Sequence, residues 1–259
     1  MPETILCVST SRPPILLEYK GVGTVVRLVA ILLAAFALVP ASCGLAYGFG
    51  DLESVDTAIV FAIDTSSSID AEHFSLQIKS IASVFRDKEV RSTMESGLNG
   101  AVLVTLVQWS THAFVSVPWT RISSESQAEA FAEKVTKAPR IHDYVDFTCL
   151  AVALRGIETQ VLPTQPEPAL RTIIDVSGNG IDNCSLPESG KEIRDELVAA
   201  GATINGLPIL EGAESVMLET WYRDHVIGGA GAFLIAAQSF ADMARAMRKK
   251  FILEISMSH

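Results

Sequence analysis

Val55-Asp56-Thr57-Ala58-Ile59-Val60-Phe61-Ala62-Ile63 runs straight into Asp64-Thr65-Ser66-Ser67-Ser68, and Asp70 then opens an amphipathic segment. The first nine residues are almost continuously apolar and rich in branched side chains. A run of this kind reads as a strand buried on both faces, as in a parallel sheet. The second stretch places a carboxylate and two hydroxyls, Asp64, Ser66 and Ser68, at alternate positions where that strand ends. Beyond Asp70, the residues Phe74, Ile78, Ile81, Ala82 and Phe85 recur at helical spacing. The segment is therefore strand, polar loop, helix.

The same alternation continues along the chain. Strands are expected at Ala101–Trp109, at Ala113–Val117 as a short antiparallel edge, at Leu170–Val176, at Ala202–Leu210 and at Ala232–Ala236. Helices are expected after Ser124, where Gln127 completes a capping-box pattern, and at Thr148–Thr159. Further helices are expected at Glu188–Ala200, closed by Gly201, at Ser215–Arg223 and from Phe240 to about Leu253. Strands alternating with helices predict an α/β fold in three layers, a mostly parallel sheet with helices on both faces. Ligands in such folds sit beyond the carboxyl ends of the strands. The loops after Ile63, before the helix at Thr148 and after Val176 are therefore the ones to read for chemistry.

Hard cations prefer oxygen ligands, and magnesium keeps several waters beside one or two carboxylates. Asp64, Ser66 and Ser68 offer such oxygens if the loop curls. Helix capping accounts for the same residue types, because Asp, Ser and Thr satisfy free amides before helices. The position of the loop decides between these readings. An apolar strand, then D-x-S-x-S, then an amphipathic helix resembles the von Willebrand factor type A domain. That resemblance implies a Rossmann-like three-layer fold with one antiparallel edge strand and a metal-ion-dependent adhesion site. The family adds a threonine from a second loop, where Thr148 of Asp146-Phe147-Thr148 stands here. It adds an aspartate from a third loop, usually within T-D-G, where Asn179 of Gly178-Asn179-Gly180 stands here. Asparagine brings a carbonyl oxygen but no charge, so the implied hold on Mg2+ (or Mn2+ or Ca2+) is weakened. Asp175, within the preceding strand, reads as a buried carboxylate hydrogen-bonded to backbone, with a helper role at the metal as the alternative. Asp182 reads as a solvated turn residue.

The resemblance covers about Val55 to Ile255. The segments Ile204-Asn205-Gly206-Leu207-Pro208-Ile209 and Trp221-Tyr222-Arg223-Asp224-His225-Val226-Ile227-Gly228-Gly229, then Gly231-Ala232-Phe233, together with Ile174-Asp175-Val176-Ser177-Gly178, are similar to a bacterial subgroup of exported domains of unknown function, commonly with aspartate at the position of Asn179. The implied role is a binding module that takes an acidic side chain from a protein partner through the metal. A metal-free structural domain remains the alternative. A hydrolase is disfavoured. Ile63-Asp64-Thr65-Ser66 faintly resembles the opening motif of subtilisin-like proteases, but the accompanying histidine and serine segments have no match. G-x-S-x-G is absent too.

Other features are plainer. His73, His112, His142 and His225 are scattered without zinc spacing. Gly228-Gly229-Ala230-Gly231 precedes a strand rather than a helix and reads as a tight turn, not a phosphate loop. Trp109, Trp119 and Trp221 read as packing. The 259 residues are 49% hydrophobic with net charge −10, which supplies material for a core and argues against nucleic acid. Before the domain, Lys20 and Arg27 precede the apolar run Leu28–Val39, broken by Pro40 and followed by Ala41-Ser42-Cys43-Gly44-Leu45-Ala46. The run is short of the ~20 residues that span a bilayer. Residues 1–46 are expected to be a secretory signal, with the domain at 47–259, a bacterial periplasmic location, and membrane contact only through an uncleaved leader. Cys149 and Cys184 then share an oxidising compartment, as a disulfide or as two separate buried thiols.

Overall fold

β1 (Val55–Asp64) is buried along its whole length. It pairs in parallel with β2 (Val102–Trp109) on one side and with β4 (Ala169–Gly178) on the other. A central parallel strand has no solvent face, which is why its sequence lacks alternation. β3 (Ala113–Ile122) lies antiparallel against β2 at one edge, and β5 (Ala202–Pro208) lies parallel to β4 at the other. The sheet order is β3-β2-β1-β4-β5. This computed structural model describes residues 54–141, 147–184 and 186–256. The expected leader, the first residues of the expected domain, His142 and Asp146 lie outside the described residues. Among the described residues no helix is long and apolar enough to cross a membrane.

Helices cover both faces. On one face lie α1 (Ala71–Arg86), α2 (Lys88–Glu95), α3 (Glu125–Lys137) and the C-terminal α7 (Met243–Ser256). Phe85 of α1 meets Phe61 of β1, Phe131 of α3 and Phe251 of α7 at centroid distances of 5.9, 4.7 and 5.3 Å. One buried ring thus ties three helices to the central strand, and truncating a residue so placed costs about 3–5 kcal/mol. On the other face α4 (Leu150–Gly156), α5 (Gly190–Ala199) and α6 (Ser215–Trp221) pack on Val60, Ala62, Val176 and Ile204. Trp109 is buried there, and Trp119 donates its indole N–H to the Val161 carbonyl at 3.1 Å.

Capping explains the helix starts. Asp70 accepts from the His73 amide at 2.8 Å and opens α1. α2 is not apparent from hydrophobic periodicity; it forms because Asp87 ends α1 and its carboxylate receives the Glu89 and Val90 amides. α5 starts at Gly190 rather than Glu188, since Ser189 and Glu192 make a reciprocal capping box. α4 starts at Leu150, two residues later than expected, which leaves Thr148 outside the helix.

One expected strand does not form. Ala232–Ala236 runs beside β5 only as isolated bridges. Gly229 and Gly231 hold φ of 97° and 70° just before it, and the Phe233 amide is taken by the Asn205 side chain at 3.0 Å instead of a backbone carbonyl. The glycines make the expected turn. A Cβ at Gly229 would lie 2.7 Å from the Ala202 carbonyl oxygen, so a side chain there has neither space nor an unstrained φ.

Candidate metal centre

The loop after β1 is held from three directions. The Thr65 amide and hydroxyl donate to the Trp109 carbonyl at the end of β2, at 2.8 and 3.2 Å. Gln77 of α1 donates to the Asp64 carbonyl at 3.0 Å. The Arg140 guanidinium donates to the carbonyls of Thr65 and Ser66 at 3.2 and 3.3 Å. Asp64, Thr65 and Ser66 are buried by this packing, whereas Ser67 and Ser68 are exposed. The loop therefore presents a fixed inner edge and an open outer one.

The structure brings Asp64, Ser66, Ser68, Thr148 and Asn179 to one place. Ser66 Oγ lies 3.1 Å from Ser68 Oγ, the Thr148 hydroxyl donates to Ser66 Oγ at 3.2 Å, and the Ser68 hydroxyl donates to Asn179 Oδ1 at 2.8 Å. Neighbouring ligands of an octahedral magnesium, at 2.0–2.1 Å from the metal, stand about 3 Å apart. The oxygens are thus spaced like the edges of such a shell. Asp64 Oδ1 accepts from the Ser66 amide at 2.8 Å. Its Oδ2 is fully buried and makes no hydrogen bond. Burial pushes the Asp64 carboxyl up to about 6, opposed by hydrogen bonding from Ser66, by the nearby Asn179 amide and by the charge of Arg140. A buried carboxylate oxygen without a donor, beside three hydroxyls and an amide oxygen, fits a small hard cation. Among the described residues no cluster of three or more His, Cys, Asp or Glu suited to a metal occurs.

The second and third loops are joined to each other. The Thr148 amide donates to Asn183 Oδ1 at 2.9 Å, and the Asn183 amide donates back to the Thr148 carbonyl at 3.0 Å. Cys149 and Cys184 form a disulfide, with Cα atoms 5.3 Å apart. Asp182 is not a solvated turn residue: its carboxylate receives the Leu150 amide at 3.0 Å and the Cys184 amide at 2.9 Å, capping α4 from across the loop. Such long-range caps carry no local sequence signal, so Asp182 and Asn183 were not legible as supports of Thr148.

Gly178 closes the floor. A Cβ there would stand 2.9 Å from Asp64 Oδ2 and 3.1 Å from the Tyr222 hydroxyl. Tyr222 donates to the Gly178 carbonyl at 3.4 Å, and burial together with Asp64 and Asp175 pushes its phenol well up. Asp175 is neither at the metal site nor bonded to backbone as expected. It pairs with Lys250 Nζ of α7 at 2.6 Å, entirely inside the protein. Lys250 also contacts Glu254, which receives the Asn205 amide group at 2.8 Å. Burial raises the Asp175 carboxyl to about 7, Lys250 opposes the rise and Glu254 adds to it. Local sequence around Asp175 carries no sign of this pair, because the lysine lies 75 residues downstream.

Above the loops lies a cleft of about 430 Å³, lined by Ser68, His73, Thr148, Asn179, Glu211 and Glu214 among others. His73 stacks on Phe240 with ring centroids 4.0 Å apart, a packing role. Glu211 receives the Phe240 amide at 2.8 Å, and Glu214 receives the Ile181 amide at 2.6 Å. Neither glutamate belongs to the pattern that drew attention to the loops.

The family described as "Protein of unknown function (DUF1194)" matches residues 54–259. No curated protein matches the chain. Among solved structures, proximal thread matrix protein 1 from the mussel byssus is similar at 16% identity and a TM-score of 0.57, over 78% of this chain and 47% of that one. A form of the same mussel protein described with a zinc-occupied MIDAS motif gives a TM-score of 0.57 and 16% identity, over 79% and 47%. The pilus adhesin SpaC from Lactobacillus rhamnosus GG in its open conformation gives 0.54 and 12%, over 78% and 30%. The chain thus spans about half the length of the mussel protein and less of the adhesin. At these identities the likeness is one of fold. The family match makes this chain a member of the DUF1194 family, and its sheet order and helix placement give it a von Willebrand factor type A-like fold.

Proposed function

We propose that this chain is a non-catalytic binding module in the bacterial cell envelope, whose Asp64, Ser66, Ser68, Thr148 and Asn179 hold a divalent cation and through it take an acidic side chain from a protein partner. The observation that carries the reading is Asp64 Oδ2, buried without a hydrogen bond beside oxygens at octahedral spacing. A buried, unpaired carboxylate oxygen costs free energy that a cation would offset. The bound Mg2+ or Mn2+ would supply positive charge facing the cleft, because serine and threonine hydroxyls do not neutralise it. Asp64 would hold the cation on the inner side, and the exposed Ser68 edge would leave the outer side open to a partner. The hydroxyls of Ser66 and Ser68 meet other oxygens rather than a histidine base, which supports binding over nucleophilic catalysis. Export rests on the leader-like segment, and the Cys149–Cys184 bridge suits an oxidising compartment.

A metal-free scaffold is the second reading, favoured by the same hydroxyls bonding to one another. Calorimetry with Mg2+ and Mn2+ on the wild type and Asp64→Ala separates the two. Binding by the wild type that Asp64→Ala loses supports the adhesion-type site. Equal behaviour of both proteins removes Asp64 from any metal site. Capture of a partner from an envelope extract, lost on chelation and on Asp64→Ala alike, tests the partner half.

A further inference from the structure

Asn179 leaves the five expected ligand residues with one carboxylate, that of Asp64, yet another stands beside them on a fourth loop. Glu214 lies between β5 and α6. Its Oε2 is fixed by the Ile181 amide at 2.6 Å, two residues past Asn179. Gly180 separates it from the threonine: a Cβ there would lie 3.3 Å from Thr148 Oγ1 and 3.6 Å from Glu214 Oε2. With glycine at that position, hydroxyl and carboxylate border one open space, part of the cleft shared with Ser68 and Asn179. Glu211, on the same loop, is committed elsewhere. It receives the Phe240 amide and stands 3.7 Å from His73 Nε2. The independent sign that a cation belongs here is the buried, unpartnered Asp64 Oδ2 at the end of β1.

We propose that Glu214 is a metal-site residue: its carboxylate supplies, through water held on the cation, the second negative charge that Asn179 does not bring. The proposal rests on the metal-site reading above. A hydrated divalent cation keeps waters that need acceptors, and a carboxylate anchored by a backbone amide is a preorganised one. The charge has thus moved from the third loop to the β5–α6 loop, with Gly180 keeping the path between them clear. The site would then discriminate for divalent over monovalent cations by two in-chain carboxylates, those of Asp64 and Glu214.

The test is Mn2+ binding, read by calorimetry and by loss of the free-ion paramagnetic resonance signal. The proteins are the full-length wild type, Asp64→Ala, Glu214→Gln, Asn179→Asp and the double variant Asn179→Asp/Glu214→Gln. Glutamine keeps an acceptor for the Ile181 amide, and an unchanged melting temperature in chelator shows that the loop is intact. Glu214→Gln is expected to weaken Mn2+ about 10–100-fold, the usual cost of losing an outer-shell partner. Asn179→Asp is expected to restore the affinity in the double variant. Wild-type affinity in Glu214→Gln, with Asp64→Ala inactive, overturns the role of Glu214 and leaves the metal site standing. Failure of Asn179→Asp to rescue overturns the exchange of charge between loops. Equal binding by the wild type and Asp64→Ala, or none by either, overturns the metal site and this proposal together.

Discussion

Asp64→Asn should make the metal-free protein more stable while removing its response to metal. Burial carries the Asp64 carboxyl from 3.8 to about 6. One pKa unit corresponds to about 1.4 kcal/mol, so holding this group ionised at pH 7.5 costs about 3 kcal/mol. Asparagine keeps an oxygen for the Ser66 amide but must place an amide group where Oδ2 now lies, so the expected net gain is about 1–3 kcal/mol. The folded-state value lies above the unfolded one, so the folded protein binds more protons between pH 4 and 6. This contribution to stability is therefore fully present below about pH 4 and is lost as pH rises through about 6. Urea unfolding in chelator should show the advantage of Asp64→Asn growing across that window and level above it. Magnesium at a hundredfold excess over its dissociation constant should then add about 2.7 kcal/mol to the wild type alone, cancelling or reversing the order. An Asp64→Asn protein that is less stable than the wild type in chelator at pH 7.5, or an advantage that ignores pH, refutes the reasoning.

Three other perturbations probe different parts of the structure. Replacing Cys149 and Cys184 by serine opens a loop with a sequence separation of 35 and should cost about 3–4 kcal/mol in urea unfolding under oxidising conditions; adding reductant to the wild type should reproduce most of that loss. Lys250→Met leaves Asp175 and Glu254 facing each other in the core and should cost about 3–5 kcal/mol by denaturation, with Glu254→Gln in the same chain recovering part of it; no recovery would place the cost in packing instead. Thr148→Val keeps the shape of the side chain and removes its hydroxyl, so calorimetry should find Mn2+ binding about tenfold weaker with stability changed by less than about 1.5 kcal/mol.

The sheet was legible because β1 and β2 have no solvent face and β4 is buried from Ile173 onward, and two-sided burial writes itself into sequence as apolar runs. The loop after β1 was legible because alternate Asp64, Ser66 and Ser68 sit where a strand must end. Thr148 and Asn179 needed the family resemblance; their spacing alone would not have joined loops 31 residues apart. Everything that supports the site from a distance escaped. Arg140 holds the first loop, Asn183 and Asp182 hold the second, and Glu214 reaches the third, all through long-range hydrogen bonding to backbone. Such bonds require only a polar side chain at the right point in space, which local periodicity does not encode. The lost strand at Ala232–Ala236 has a related cause, since apolar composition cannot reveal that Asn205 intercepts the Phe233 amide.

That interception also decides how the sheet ends. Along the outer border of β5, the residues Ile204, Gly206, Pro208 and Leu210 exchange hydrogen bonds with Gly228, Phe233, Ile235 and Ala237. The border is satisfied without offering a repeating ladder to another chain. At the opposite border β3 carries Pro118 and two shifts of register against β2, between Val104 and Leu106 and between Leu106 and Val107, which interrupt the regular pairing there. Among the described residues, edge-to-edge growth, the usual hazard of an open sheet, therefore finds no uninterrupted template at either border.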